Sequence, residues 1–130
     1  LNALENKLEI NFFCADIFNL KEMEGEKYDV IVSNPPYVRE SEKVLMHSNV
    51  LNYEPETALF VSDNDPLKFY RAIANFAKIS LFKNGRLFFE INESQSTEMV
   101  ELLSGVGFKN IEIREDINGK SRMVSCLNSV

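Results

Sequence analysis

The chain has 130 residues, 45% hydrophobic and 26% charged, with a formal net charge of −6 and a pI ≈ 4.8. That length and balance suit one globular domain. No apolar run approaches the roughly 20 residues that span a bilayer, and an acidic surface works against long-range attraction to phosphate backbones. With two cysteines, one histidine and no CxxC spacing, neither a disulfide framework nor a metal site has support.

The opening "LNALENKLEI" is charged and amphipathic, unlike a signal peptide. Its initial Leu is expected of an excised or processed chain. Residues 1–7 read as the end of a helix. "LEINFFCAD", 8–16, is apolar and β-prone and reads as a strand ending in Asp16. A polar connection with Gly25 leads to "YDVIVS", 28–33, a continuous apolar run expected of a strand covered on both faces. Residues 38–66 are long, polar and turn-rich, which in a compact domain marks a functional or disordered loop.

In "DPLKFYRAIANFAKISLFKNG", Asp65 reads as an N-cap and Pro66 as a first helical residue. Leu67, Tyr70, Ile73, Ala74, Ala77 and Leu81 follow helical spacing, and Asn84-Gly85 suits a left-handed close. "RLFFEI", 86–91, reads as a strand, and "SQSTEMVELLSGVGF" as a helix capped by Ser94 or Ser96 and stopped near Gly105 or Gly107. "NIEIREDI", 110–117, and "RMVSCL", 122–127, are strands joined by the hairpin signal "NGK". Cys14 and Cys126 lie in apolar runs and are expected as buried thiols in a reducing cytoplasm. Phe69, Phe76, Phe82, Phe88 and Phe89 are expected in the core. The pattern predicts an α/β fold, a mainly parallel sheet with helical crossovers and a C-terminal antiparallel hairpin.

The chemistry concentrates in "VIVSNPPYVRE", 30–40. A bare Pro-Pro after a strand usually only stops the sheet. Here the pair is flanked by Asn34 and Tyr37 at a strand's carboxyl end, where open α/β sheets bind ligands. An amide or aromatic amine is a poor nucleophile because its nitrogen lone pair is delocalised. Two acceptors aimed at its two N–H bonds orient the lone pair and stabilise the charge that develops during alkylation. The Asn34 side-chain oxygen supplies one. The Pro35 carbonyl supplies the other, since Pro36 donates nothing and holds Pro35 extended. Tyr37 would offer a flat face to a planar amide or base.

"YDVIVSNPPYVRE" followed by "NYEPETALF" resembles the HemK/PrmC family of release-factor glutamine methyltransferases. The resemblance extends through "AD" at 15–16, "FKNGRLFFEI", "GFKNIEI" and "DINGKSRMV". Asn-Pro-Pro-Tyr is shared by many amino-methyltransferases; Tyr53-Glu54-Pro55 with Ala58-Leu59 narrows the likeness to this family. The resemblance implies a class I, Rossmann-like domain that uses S-adenosyl-L-methionine to methylate the glutamine nitrogen in the Gly-Gly-Gln motif of peptide chain release factors. Asn34, Pro35, Pro36 and Tyr37 would then be the catalytic set, and Asp16, Ile17 and Asn34 would border the cofactor, with no metal. Val38, Arg39 and the loop up to Phe60 would face the release factor. Many family members carry a large aromatic where Ile17 stands, so adenine stacking there would be weaker.

None of the five glycines falls in a GxGxxG arrangement. The family's Gly-rich cofactor loop, the ribose-binding acid after its second strand and its N-terminal helical domain have no counterpart here. Residues 1–130 are therefore expected to be the C-terminal portion of a catalytic domain. In that sheet two strands lie between the 8–16 and 28–33 segments. Without them the chain should rearrange, associate with another copy or leave its first segment displaced, and should be inactive alone. Expected partners are a release factor, with no direct nucleic acid binding and no membrane, in the cytoplasm. Rival readings are a DNA or RNA amino-methyltransferase, which calls for a basic groove, and a non-catalytic protein-binding module. His47 reads as solvated, Glu90 as a structural hydrogen-bonding group, Glu54 equally as a loop pin to Arg39 or a backbone N–H or as solvent-facing, and Glu93, Glu98 and Glu101 as a solvated helix face.

Overall fold

A computed structural model describes residues 2–20, 23, 25–46 and 53–130. His47 lies outside the described residues. The first elements are a short helix α1 (Asn2–Glu5) and the strand β1 (Tyr28–Ser33). The 38–66 region carries β2 (Val38–Arg39), a 3-10 turn (Glu40–Leu45), α2 (Glu56–Leu59) and β3 (Phe60–Val61). Then follow α3 (Lys68–Ser80), β4 (Leu81–Glu90), a 3-10 turn (Glu93–Gln95), α4 (Ser96–Val106), β5 (Lys109–Glu115) and β6 (Ser121–Leu127).

The strands form a four-stranded sheet in the order β1-β4-β6-β5 and a two-stranded pair β2-β3. β1 runs parallel to β4, β2 parallel to β3, and β6 antiparallel to both β4 and β5. The fold is thus α/β with the expected C-terminal antiparallel hairpin, which turns at Gly119 (φ 74°). Helices α3 and α4 cover one sheet face. Tyr70, Ile73, Ala74 and Ala77 from α3 and Met99 and Leu103 from α4 meet Leu87, Phe89, Val124 and Cys126 in one buried cluster. This alternation along β4 follows from the two-residue period of a strand. Helix α4 stops at Gly107, whose φ of 95° suits glycine.

Several expectations are corrected. Strand β1 is not covered on both faces, since Val30 and Val32 are exposed. Residues 8–16 form no strand: they run as exposed coil, with Phe12 81% and Phe13 66% exposed. Among the described residues β1 pairs only with β4, so no neighbouring edge meets the 8–16 segment. Backbone groups without a strand partner stay solvated. Cys14 is exposed for the same reason, while Cys126 is buried in β6.

Helix α3 ends at Ser80 rather than Asn84-Gly85, and β4 begins at once with Leu81. The register jumps between Tyr28↔Leu81 and Val30↔Arg86, so residues 82–85 bulge out of the sheet and leave Phe82 49% exposed. Asn84 takes a φ of 66° in that bulge, the left-handed geometry that its sequence suggested for a helix close. The bulge is stitched to the C-terminus by Asn84 N–H to Asn128 O (2.7 Å) and Asn128 N–H to Gly85 O (2.9 Å). A Cβ on Gly85 would stand 2.9 Å from Phe82 O and 3.1 Å from Asp29 O, so only glycine fits there.

The start of α3 also differs. Asp65 lies in a preceding turn and accepts two bonds from the Arg71 guanidinium, both at 3.1 Å, instead of capping the helix; the 3-10 turn before α4 is capped by Asn92, not Ser94 or Ser96, through Ser94 N–H (3.1 Å). Of the phenylalanines, Phe89 is buried, Phe69, Phe76 and Phe88 are half-buried, and Phe82 is exposed.

Candidate active site

Tyr37, Asn34 and the prolines between them owe their position to β4. The last β1–β4 pair is Ser33↔Phe89, so Asn34 emerges at the carboxyl end of two adjacent parallel strands. Asn34 is exposed, Pro35 buried and Pro36 half-buried. Among the described residues, no hydrogen bond takes up the Asn34 side chain or the Pro35 carbonyl. Both acceptors proposed from the sequence are thus uncommitted among the described residues.

A cleft of about 630 Å³ opens at this corner, lined by Asn34, Pro35 and Pro36 and also by Asp16 and Ile17. Asp16 and Ile17 belong to a tight turn. Asp16 Oδ1 accepts from Phe18 N–H (3.0 Å) and Asp16 O from Asn19 N–H (2.8 Å), the local bonding that suits aspartate to turns. The Phe18 ring packs on Phe69 of α3 with centroids 5.3 Å apart, and Ile17 leans on the core cluster. Phe69, Ile73 and Phe76 of α3 form an apolar floor, and Thr57 and Ala58 of α2 close the cleft from the 38–66 region. The site is therefore mostly apolar, with a few polar groups at its ends.

Tyr37 is oriented differently from the cleft-facing role that the sequence suggests. It does not line the cleft; its ring packs against the core cluster. Its hydroxyl donates to Glu90 Oε1 at 2.6 Å. Burial pushes the phenol up to about 12, and the Glu90 carboxyl beside it adds to the rise. Tyr70 of α3 donates its hydroxyl to the Glu90 carbonyl (2.9 Å) and, buried beside Tyr37, is also raised well above ordinary tyrosine. Asn92 Nδ2 donates to the Tyr37 carbonyl (3.4 Å) and to Glu42 Oε2 (3.0 Å), and Glu42 Oε2 accepts from Arg39 N–H (3.3 Å).

The structure thus brings Asn34, Pro35, Pro36, Asp16 and Ile17 to one cleft and turns Tyr37 into the scaffold behind it. Glu54 is exposed, and the 38–66 region is pinned instead by Glu42 and by a Lys43–Glu56 ion pair. Sequence reasoning missed Glu42 and Asn92. The available signal was their place, one in the turn after the motif and the other just past a strand end beside it. Among the described residues no cluster of His, Cys, Asp and Glu could hold a metal ion, and no helix is long and apolar enough to cross a membrane.

The corner stands at the carboxyl end of two parallel strands, where open α/β folds bind ligands. The crystal structure of a protein-(glutamine-N5) methyltransferase (release factor-specific) from Alicyclobacillus acidocaldarius shares this fold, with a TM-score of 0.52 at 20% identity over 88% of this chain and 56% of that one. No family model matches the chain. The release factor glutamine methyltransferase of Flavobacterium psychrophilum is 49% identical over 123 residues, 95% of this chain and 43% of that protein. Its namesake from Bacteroides thetaiotaomicron is 42% identical over 124 residues, covering 95% and 45%. Over the part of those enzymes that it spans, the chain belongs to the release factor glutamine methyltransferase family. It spans less than half the length of these two curated relatives.

Proposed function

We propose that the complete protein carrying this chain uses S-adenosyl-L-methionine to methylate the glutamine side-chain nitrogen in the Gly-Gly-Gln motif of peptide chain release factors, and that residues 1–130 are the C-terminal portion of its catalytic domain. The observation that carries this reading is the cleft that Asn34 and Pro35, their acceptors uncommitted among the described residues, share with Asp16 and Ile17. The named relatives supply the substrate class.

The residues present suit one side of the cofactor. Ile17 is half-buried and apolar, fit for the face of an adenine, and Asp16 has a second carboxylate oxygen beyond the one that closes its turn. When bound, S-adenosyl-L-methionine supplies a methyl on a sulfonium, which leaves with its bonding electrons on sulfur. The Asn34 oxygen and the Pro35 carbonyl each accept one N–H of the glutamine amide. They aim the nitrogen lone pair along the cleft and stabilise its developing positive charge. As the N–C bond forms, the nitrogen sheds one proton to solvent, so no side chain need be a strong base. The apolar floor keeps water from competing for the methyl.

Incubating the complete protein with labelled methyl donor, a release factor and a competing oligonucleotide tests this. Label is expected on the release factor, and it should be lost when the motif glutamine is replaced by alanine. Label on the oligonucleotide would favour a base-directed enzyme. For residues 1–130 alone, weak cofactor binding and self-association are the corresponding expectations. The β1 edge away from β4 has no strand neighbour among the described residues, and Val30 and Val32 are 52% and 74% exposed beside it.

A further inference from the structure

We infer that Glu90 and Asn92 are positioning residues for the methyl acceptor: from the end of β4 they hold the far end of the Asn34–Tyr37 corner and so set the separation of its two acceptor oxygens. The inference rests on the proposed function and extends it to residues outside the motif.

Proline fixes φ at Pro35 and Pro36 and keeps the residue before each extended, but φ of Asn34, ψ of Pro36 and the Asn34 side chain remain free. Stiff residues alone do not aim two oxygens. A short bridge becomes rigid only when both ends are anchored, and here both anchors belong to one strand. The near end is Ser33, paired with Phe89. The far end is Tyr37, whose hydroxyl is bound by the Glu90 side chain at 2.6 Å and whose carbonyl is bound by Asn92 at 3.4 Å.

The anchor is itself held by the core sheet. The Glu90 carbonyl accepts from Tyr70, Glu90 pairs with Met123 of β6, and Ile91 N–H donates to Arg122 O at 2.9 Å. Asn92 is 7% exposed, and its amide oxygen accepts from both Ser94 N–H (3.1 Å) and the Ser94 hydroxyl (2.9 Å). That arrangement leaves its Nδ2 directed at Tyr37 and Glu42. Because Glu42 also binds the N–H of Arg39, the same residue fixes β2, which pairs with β3 directly after α2 and its cleft residues Thr57 and Ala58. One strand end thus holds both the acceptor corner and, through Glu42 and β2, the region that brings Thr57 and Ala58 to the same cleft. Neither Glu90 nor Asn92 lines the cleft, so each acts through Tyr37 and Glu42 rather than on substrate.

Two measurements test this. In the complete enzyme, Tyr37→Phe and Glu90→Ala should each lower kcat by about 100-fold, the scale expected for an ångström of misplacement, with cofactor Kd within about twofold. Glu90→Gln, which keeps an acceptor, should recover most of the loss. Because both changes break one bond, the double variant should be no worse than either single variant. Full kcat in Glu90→Ala, or additive losses, would overturn the inference. A wild-type enzyme that methylates no glutamine would overturn the proposed function instead. In the 130-residue chain, the NMR signals of the Asn34 side-chain amide should shift in Tyr37→Phe and Glu90→Ala and stay near wild type in Glu90→Gln. Unchanged signals in all three would overturn the inference whatever the activity.

Discussion

Two stretches of this chain have nearly the same pattern and different fates. "LEINFFCAD", 8–16, and "RLFFEI", 86–91, are both short, apolar and β-prone. The second lies between β1 and β6, with Leu87 and Phe89 buried. The first is exposed throughout, and the hollow of about 970 Å³ beside it is bounded by its own segment, from Asn11 to Tyr28. Propensity did not separate them; the presence of a paired edge did. Apart from Pro35, the buried apolar side chains among the described residues run from Val61 to Cys126, so the cleft joins a firm wall backed by the core, at the end of β4, to an exposed one, the turn at Asp16. β-propensity describes fitness for a pleated surface that must already exist.

The largest contrast should be in reactivity. Cys14 should react with a thiol reagent as a free cysteine does. Cys126, whose thiol burial pushes up to about 12, should react at least about 100-fold more slowly, through opening of the fold. Equal rates would erase the distinction between the two regions. Core truncation comes next. Leu103→Ala, at a site 0% exposed, should cost about 2–5 kcal/mol in denaturant unfolding, whereas Phe12→Ala should stay within about 0.5 kcal/mol.

Alkaline titration sharpens the comparison at the site itself. The unfolded chain releases the Tyr37 proton near its ordinary value of 10.0, and the folded chain holds it to about 12. The unfolded state then binds fewer protons, so stability falls as pH rises. The contribution is fully present below pH 10 and lost through about 12, and Tyr37→Phe should flatten that part of the profile. Within the firm region, Gly85→Ala should cost about 1–3 kcal/mol by forcing a Cβ onto the Phe82 and Asp29 carbonyls. A smaller effect, of opposite sign, is expected of Gly105→Ala. Its Cβ would meet nothing within 4 Å in α4, so it should stabilise by about 0.5–1 kcal/mol.

Local patterns were legible where neighbours are close in sequence: the β5–β6 hairpin at Asn118-Gly119, α4 with its Gly107 stop, and β1 running into Asn34. The end of α3 was not legible, because Asn84-Gly85 suits a helix close and a strand bulge equally, and a contact with Asn128 decides between them. The cleft corner could be found from Asn34-Pro35-Pro36. The direction of Tyr37 could not, since a carboxylate at position 90 captures its hydroxyl and such pairing across 53 residues leaves no local mark.

The most direct measurement is single-turnover methyl transfer to a release factor by the complete enzyme and its Asn34→Ala variant, alongside cofactor Kd. Loss of one acceptor for the developing charge should slow transfer by at least about 100-fold while cofactor affinity changes little. Transfer at a near-normal rate in the variant would contradict the account.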